Sequence, residues 1–234
     1  MFALAIWDRQ ARRLFLARDR YGIKPLYYAW AGRALLFGSE VKALLEHPDL
    51  TRGLDKEALV EYLTFQNYLT DRTLFAGVRL LPPGMHLTLA ADGPSDVAPV
   101  RYWDFDFQEP EREGDEREYA EELDRLFCQA VRRQLVSDVE LGCYLSGGLD
   151  SGSITAIAAT DIPRLKTFTC GCDLNSASGL ELGFDERAKA ERMSYLFKTE
   201  QYEMVLKAGD MEHVLPRVGR HLEEQVHLGA ALLD

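Results

Sequence analysis

The chain has 234 residues, and its content of 47% hydrophobic, 10% aromatic and 28% charged residues supports a packed core and excludes a disordered tail. Its formal charge of -11 argues against a basic surface that binds nucleic acid. A small phosphate ligand remains compatible with that charge, because backbone N–H groups and a metal ion can hold it.

The sequence shows no sign of export or membrane insertion. No apolar run approaches the roughly 18 residues that span a bilayer, and the first residues lack the basic segment of a signal peptide. We therefore expect a cytoplasmic protein without a membrane partner. The cysteines lack the paired spacing of a zinc site or a disulfide framework, so we expect buried reduced thiols. They are Cys128, Cys143, Cys170 and Cys172.

The first part of the chain has the pattern of strands and turns. Residues 2–8 and 14–18 predict one hairpin, and residues 25–30 and 34–38 predict a second. Helices are predicted over 40–47 and 56–63, with Ser39 and Asp55 as their N-caps. A short strand is predicted over 85–89.

Residues 91–114 combine Pro, Gly, Asp and Glu without periodicity, which predicts a linker between a first domain, 1–90, and a second, 115–234. After the linker, strands and helices alternate, and this order predicts a parallel sheet covered by helices. The predicted helices lie near 119–135 and over 152–160, 185–197 and 210–224, the last interrupted by Pro216. The predicted strands lie over 139–145, 165–170 and 201–205.

The most informative segment is Leu145-Ser146-Gly147-Gly148-Leu149-Asp150-Ser151-Gly152. It follows an apolar strand and opens a helix, where an α/β fold presents a helix N-terminus to a ligand. The two glycines let the backbone approach a phosphate, and the serines add hydroxyl donors. Because Asp150 would repel a bare phosphate, its role in such a site would be to hold Mg²⁺. The segment therefore predicts a site for a metal-bound nucleotide.

Other interpretations of this segment fit less well. A Walker A loop requires Lys after the glycines, and a dinucleotide-binding loop requires the spacing GxGxxG; both are absent. A simple Gly-Gly turn between a strand and a helix would explain the glycines, but not the flanking serines together with the aspartate.

Ser146-Gly-Gly-Leu-Asp-Ser151 resembles the SGGxDS pyrophosphate loop of the ATP pyrophosphatases. With Val136-Ser-Asp-Val139 and Gly142-Cys-Tyr-Leu145 before it, the segment is similar to that of glutamine-dependent asparagine synthetases. The early part of the chain resembles the later strands of their class II glutaminase domain. The residues that carry this second resemblance are 1–8, 17–28 and 37–44, followed by 80–85 and the pair Tyr102-Trp103.

The resemblance implies part of an antiparallel, Ntn-type glutaminase domain, followed by the start of a parallel-sheet domain of the adenine-nucleotide hydrolase type. It implies that ATP and aspartate form β-aspartyl-AMP, which ammonia from glutamine attacks; a homodimer of the whole enzyme is a further implied partner. The implied ATP-binding residues are Leu145, Ser146, Gly147, Gly148, Asp150, Ser151 and Cys170, with Asp150 also binding Mg²⁺ and Cys170 contacting adenine through its backbone. Cys170 is equally compatible with an inert strand residue.

Several other polar residues have a structural interpretation. The pair Asp185-Glu186 is expected to favour the dipole of the helix it opens. The cluster of Arg18, Asp19, Arg20 and Lys24 is expected to form ion pairs at a strand end. We expect the remaining histidines of interest to be surface or interhelical residues, because their spacing does not match HExxH. They are His213, His221 and His227.

No catalytic residue can be assigned. The family's glutaminase uses an N-terminal cysteine as nucleophile, and this chain begins Met1-Phe2. The family's Ser-Gly-Glu-Gly-Ser-Asp-Glu loop would lie beyond Asp234. We therefore expect an internal piece of a synthetase that is inactive alone. A related amidotransferase or β-lactam-synthetase-like enzyme that adenylates another carboxylate, and a non-catalytic nucleotide-binding protein, are the alternatives.

Overall fold

The computed structural model describes residues 1–92, 97–109, 114–173, 185–207 and 209–222. Within these ranges the chain forms two compact units, Met1–Gln108 and Glu109–Leu222. The first contains antiparallel sheets with two helices, and the second contains a parallel sheet with helices between its strands. This mixed architecture confirms the order of antiparallel and parallel sheets expected from the sequence pattern.

Two antiparallel sheets build the first unit. One has the strand order β1-β2-β6-β7, and the other has the order β4-β3-β5. The strands are β1 (Ala3–Asp8), β2 (Arg13–Arg18), β3 (Tyr27–Ala31), β4 (Ala34–Gly38), β5 (Val78–Leu80), β6 (Met85–Ala90) and β7 (Val100–Arg101). The helices are α1 (Val41–Leu45) and α2 (Lys56–Phe65). Both predicted hairpins are confirmed by the pairing of β1 with β2 and of β3 with β4.

Alternation along β3 divides the core of the first unit into two layers. Tyr28 packs with Leu16 and Leu87 of the four-stranded sheet. Its neighbour Tyr27 points to the opposite face and packs with Val41 of α1. Because successive strand residues face opposite sides, β3 joins a layer between the two sheets to a layer between sheet and helix.

Two details of the first unit differ from the sequence-based expectations. Ser39 is not the N-cap of α1, because the helix begins at Val41 and the cap position falls on Glu40, which makes no side-chain capping bond. The N-cap of α2 is confirmed, since Asp55 accepts hydrogen bonds from the N–H groups of Glu57 and Ala58. The predicted linker range 91–114 contains β7, which pairs with β6.

The second unit has the element order α3-β8-α4-β9-α5-β10-α6. Its bounds are α3 (Glu116–Gln134), β8 (Gly142–Tyr144), α4 (Leu149–Asp161), β9 (Lys166–Cys172), α5 (Arg187–Phe197), β10 (Glu200–Leu206) and α6 (Asp210–Leu222). The three strands form a parallel sheet in the order β10-β9-β8. Val131, Ala158 and Leu165 form its buried apolar centre, where α3 and α4 pack together.

Two expectations for the second unit are wrong. The buried strand predicted over 139–145 shrinks to β8, and Val139 and Tyr144 are 76% and 49% exposed. Pro216 does not interrupt α6, which continues through it. The carbonyl that loses its helical partner belongs to the exposed Glu212, where water can satisfy it. Residues 223 and 224 of that predicted helix lie outside the described ranges.

No helix in the described ranges is long and apolar enough to cross a membrane.

Candidate functional site

The segment singled out from the sequence forms the connection between β8 and α4. Leu145 is buried, with 1% of its surface exposed, and fixes the start of this loop. Its N–H donates to Phe168 O at 2.9 Å, and its carbonyl accepts a 2.7 Å hydrogen bond from the hydroxyl of Thr169. Gln201 on β10 donates its side-chain amide to the same hydroxyl at 3.2 Å. The loop is therefore anchored to β9, and the anchoring hydroxyl of Thr169 is in turn bonded to β10.

The two serines of the loop close it on itself. Ser146 Oγ and Ser151 Oγ lie 3.0 Å apart, within hydrogen-bond distance. The N–H of Ser146 donates to Ser151 Oγ at 3.2 Å, and the N–H of Gly148 donates to Ser146 Oγ at 3.3 Å. These bonds hold the backbone between residues 146 and 151 in a tight turn at the start of α4.

Gly147 occupies a position where another residue would not fit. Its φ of +79° lies in the left-handed region, which disfavours side chains. A Cβ there would lie 2.6 Å from Lys189 Cβ and 3.1 Å from the backbone nitrogen of Ala190. The glycine thus allows the loop to lie directly against the first turn of α5.

The N-terminus of α4 offers unpaired backbone donors. The N-cap Gly148 provides no side-chain cap, and the first helical hydrogen bond joins Gly152 N–H to Gly148 O at 3.0 Å. The N–H groups of Leu149, Asp150 and Ser151 make no hydrogen bond with any residue that the structure describes. Three converging N–H groups at the positive end of a helix form a binding site for an anion such as a phosphate.

Asp150 lies in the first turn of α4 and is exposed. Its carboxylate has no ion pair or hydrogen bond with any described residue, so it is available to a ligand. No group of three or more His, Cys, Asp or Glu side chains in the described ranges could hold a metal ion. Magnesium bound to a nucleotide commonly takes one carboxylate from the protein and its remaining ligands from phosphates and water. Asp150 alone is compatible with that arrangement and with no other kind of magnesium site.

Cys170 lies on β9, opposite Met204 of β10, and is half-buried. Burial raises the pKa of its thiol; the neighbouring Cys172 adds to the increase and Arg187 opposes it. Because a raised pKa keeps the thiol protonated, Cys170 is a poor nucleophile. All four cysteines are free, as expected, but each is only partly buried rather than fully buried.

Asp185 and Arg187 form a tight ion pair at the start of α5. Arg187 donates from Nε to Asp185 Oδ1 at 2.9 Å and from Nη2 to Oδ2 at 2.7 Å. The side-chain hydrogen bond from Arg187 lowers the pKa of Asp185. Instead of acting only on the helix dipole, Asp185 therefore holds an arginine, a partner that the sequence interpretation missed.

The charged cluster after β2 stabilises a turn. The buried carboxylate of Asp19 accepts hydrogen bonds from the backbone N–H groups of Phe2, Tyr21, Ile23 and Lys24. Arg18 donates to the carbonyl oxygens of Gly22, Lys24 and Leu81. The role is structural, as expected, but the contacts that fix this turn are hydrogen bonds to the backbone, whereas the sequence predicted ion pairs.

Of the three histidines considered, His213 is the one whose side chain the structure describes, and it does not join the loop. His213 is exposed, and its Nδ1 lies 2.8 Å from Gly209 O within α6's first turn, as expected for a surface residue. The side chain of His221 and the whole of His227 lie outside the described part of the chain.

The structure adds residues to the site that the sequence interpretation did not include. Thr169 and Gln201 anchor the loop, Lys189 packs under it, and Arg187 lies beside the end of β9. The alternation of Thr167 and Thr169 in an otherwise apolar strand was the signal that could have indicated a polar anchor. The contacts of α5 depend on the tertiary fold and leave no local signal.

Two family models match the chain in succession. The glutamine amidotransferase domain model matches residues 1–103. The asparagine synthase model matches residues 122–232, a range that includes the whole loop. The two matches agree with the two resemblances found in the sequence.

Curated proteins of known sequence show the same similarity. The glutamine-hydrolysing asparagine synthetase 3 of Bacillus subtilis (strain 168) is 35% identical over 235 residues, which are 97% of this chain and 36% of that protein. A putative glutamine-hydrolysing asparagine synthetase of Mycobacterium tuberculosis (strain ATCC 25618 / H37Rv) is 34% identical over 97% of this chain and 34% of its own length. Amidase chyE of Penicillium rubens is 32% identical over 86% of this chain and 30% of its own length.

The chain thus spans about a third of the length of the curated relatives it matches. Both segments, their order and the identities agree: along 97% of its length the chain is similar to a glutamine-hydrolysing asparagine synthetase.

Proposed function

We propose that this chain carries the ATP site of a glutamine-hydrolysing asparagine synthetase. In the whole enzyme, ATP would adenylate aspartate to β-aspartyl-AMP with release of pyrophosphate. Ammonia from glutamine would then displace AMP and form asparagine. The observation that supports the ATP site best is the loop after β8, where three unpaired N–H groups open α4 beside an unpartnered carboxylate.

In this proposal the loop binds the pyrophosphate part of ATP. The free N–H groups of α4 would donate to phosphate oxygens, and the hydroxyls of Ser146 and Ser151 would exchange their mutual hydrogen bond for bonds to phosphate. Gly147 and Gly148 would leave room for the phosphates to approach the backbone, and Leu145 would contact the nucleotide through its main chain. Asp150 would hold Mg²⁺, which neutralises phosphate charge when bound.

The base would lie at the carboxyl end of β9, where we propose that the backbone of Cys170 contacts adenine. Parallel strands bring their carboxyl ends to one edge of the sheet, so the ends of β8 and β9 are neighbours. The Ntn-type class of the first unit, the adenine-nucleotide hydrolase class of the second, and a homodimer of the whole enzyme belong to the same proposal.

Calorimetry with Mg·ATP tests the ATP site. We expect weak binding by the 234-residue chain and a loss of at least tenfold in Asp150→Asn, since the metal-bound form of ATP would lose its protein ligand. Asp138→Asn removes an exposed carboxylate of the same unit and should leave binding unchanged. A folded chain that gives no heat with Mg·ATP would refute the proposed site.

A second measurement addresses the reaction. Pyrophosphate release from ATP in the presence of aspartate and ammonia reports adenylation directly, and the same assay with other carboxylates addresses the related amidotransferases. The similarity to amidase chyE makes that comparison necessary. We expect no release by this chain alone and no ammonia from glutamine, because neither the glutaminase cysteine nor the second acidic loop of the family can be assigned in its sequence.

A further inference from the structure

The end of β9 is covered by the side chain of Arg187. Gly171 is buried, and a Cβ at this glycine would overlap Arg187 Cδ and lie 2.7 Å from Arg187 Cγ. A side chain at residue 171 would therefore displace Arg187, although the φ of Gly171 is not in the left-handed region. The stem of Arg187 occupies the space that a side chain at residue 171 would need.

Three acceptors fix the guanidinium. Asp185 binds it through two hydrogen bonds of 2.9 and 2.7 Å, the paired geometry in which arginine–carboxylate contacts are strongest. Glu203 on β10 lies 3.3 Å from Nη1, and Cys172 O, the last carbonyl of β9, accepts from Nη2 at 3.2 Å. The side chains of Asp185 and Arg187 are only 12% and 21% exposed, so water competes little for these bonds.

The same turn of α5 contacts the phosphate-binding loop. Two residues after Arg187, the Cβ of Lys189 lies 2.6 Å from the position of a Cβ on Gly147, and Ala190 N lies 3.1 Å from it. The first turn of α5 thus touches the loop with one side and the end of β9 with the other.

We propose that Arg187 is a positioning residue for the base of the bound nucleotide. It holds the backbone of residues 170–172 through the carbonyl of Cys172 and through its stem over Gly171, with Asp185 fixing its orientation. This inference rests on the proposed ATP site. In the proposed site the phosphates bind the loop and the base binds the end of β9. Loss of Arg187 should therefore weaken the binding of ATP and leave the binding of inorganic pyrophosphate unchanged.

Calorimetry on the full 234-residue chain, with Mg·ATP and with magnesium pyrophosphate, tests this separation. We expect Arg187→Ala to weaken Mg·ATP about tenfold, the size of one lost hydrogen bond to a charged group, and to change pyrophosphate affinity less than about twofold. Arg192→Ala, an exposed arginine on the same helix, is the matched control and should change neither.

A double-mutant cycle isolates the contact between Arg187 and Gly171. Gly171→Ala alone should weaken Mg·ATP, because the new methyl group displaces the arginine stem. In the Arg187→Ala background the space is empty, so Gly171→Ala should add no further loss. A local steric effect predicts this non-additivity, whereas a general weakening of the strand predicts that the two losses add.

Each result has a defined meaning. If the wild-type chain binds pyrophosphate and ATP, and Arg187→Ala binds ATP equally well, the positioning role is wrong. Equal losses of ATP and pyrophosphate would overturn it too, since Arg187 would then act on the whole unit. Wild type that binds neither ligand would instead refute the ATP site itself. If Arg187→Ala does not fold, judged by circular dichroism, Asp185→Asn keeps the arginine and should still weaken ATP selectively.

Discussion

Replacement of Gly147 by alanine tests the geometry on which the proposed site depends. Two separate costs arise at this position. The backbone is left-handed, with φ at +79°, and this conformation costs a residue with a Cβ about 1–2 kcal/mol. The new methyl group would also lie 2.6 Å from Lys189 Cβ, so the start of α5 must move, and such overpacking costs about 1–3 kcal/mol more.

Gly209→Ala separates the two costs. Gly209 lies in the same unit, has φ at +91°, and no atom of the described residues lies within 4 Å of the position of its Cβ. It therefore carries the backbone cost without the steric one. The difference in stability between the two variants measures the cost of the steric clash between the loop and α5. We expect Gly147→Ala to destabilise the second unit by about 1–3 kcal/mol more than Gly209→Ala does.

Unfolding of the second unit must be followed with a suitable probe. All three tryptophans, Trp7, Trp30 and Trp103, belong to the first unit, so tryptophan emission does not report on the loop. Hydrogen exchange of the amides in α4 and α5 does, and Mg·ATP affinity gives a second readout. If Gly147→Ala and Gly209→Ala lose equal stability, and Mg·ATP binds both equally, the close packing of the loop on α5 would be wrong.

Two further substitutions test the anchors of each unit. Thr169→Val removes the hydroxyl that joins Leu145 O to the Gln201 amide. We expect the second unit to lose about 1–3 kcal/mol of stability, measured by hydrogen exchange, and to bind Mg·ATP more weakly, measured by calorimetry. Unchanged ATP affinity would mean that this anchor does not support the site. Asp19→Asn should destabilise the first unit by about 1–3 kcal/mol at neutral pH. Burial alone would raise the pKa of Asp19, but its four backbone hydrogen bonds outweigh burial and lower the pKa below its usual range. The ionised carboxylate therefore stabilises the fold above the unfolded-state pKa, and this contribution is lost as the pH falls through the folded-state pKa. Urea titrations followed by tryptophan emission should show the difference between wild type and Asp19→Asn shrinking in acid; a constant difference would contradict the assignment.

Local patterns in the sequence were enough to predict much of the fold. The hairpins follow from alternation around polar turns, and the cap of α2 follows from an aspartate before a helical stripe. The strands β5 and β7 were missed because three and two residues are too few to show a period. The apolar run over 139–145 was overextended, because hydrophobicity alone does not distinguish a buried strand from an exposed approach to one.

For the candidate site, too, the local part could be predicted from the sequence and the long-range contacts could not. The loop itself is contiguous in sequence, and its strand-loop-helix setting was predicted from that segment. Its supports are distant: Thr169 lies 24 residues from Leu145, and Arg187 lies 15 residues from the carbonyl it binds. A contact of that kind depends on which elements become neighbours, and one sequence carries no local signal for it.

The charge of the loop leads to a final expectation. Between Leu145 and Ser151 the only ionisable side chain is Asp150, so the loop itself adds negative charge where a polyphosphate would bind. Lys189 packs below the loop through its stem, but its Nζ lies 3.9 Å from Glu186, and that contact offsets part of its charge. The neutral N–H groups of α4 would therefore have to overcome repulsion from Asp150 unless a cation binds between them. We expect the affinity of the wild-type chain for ATP to be at least tenfold lower in EDTA than in the presence of magnesium. In Asp150→Asn the affinity should depend less on the metal. Equal affinity of wild type with and without magnesium would mean that Asp150 does not face the phosphates.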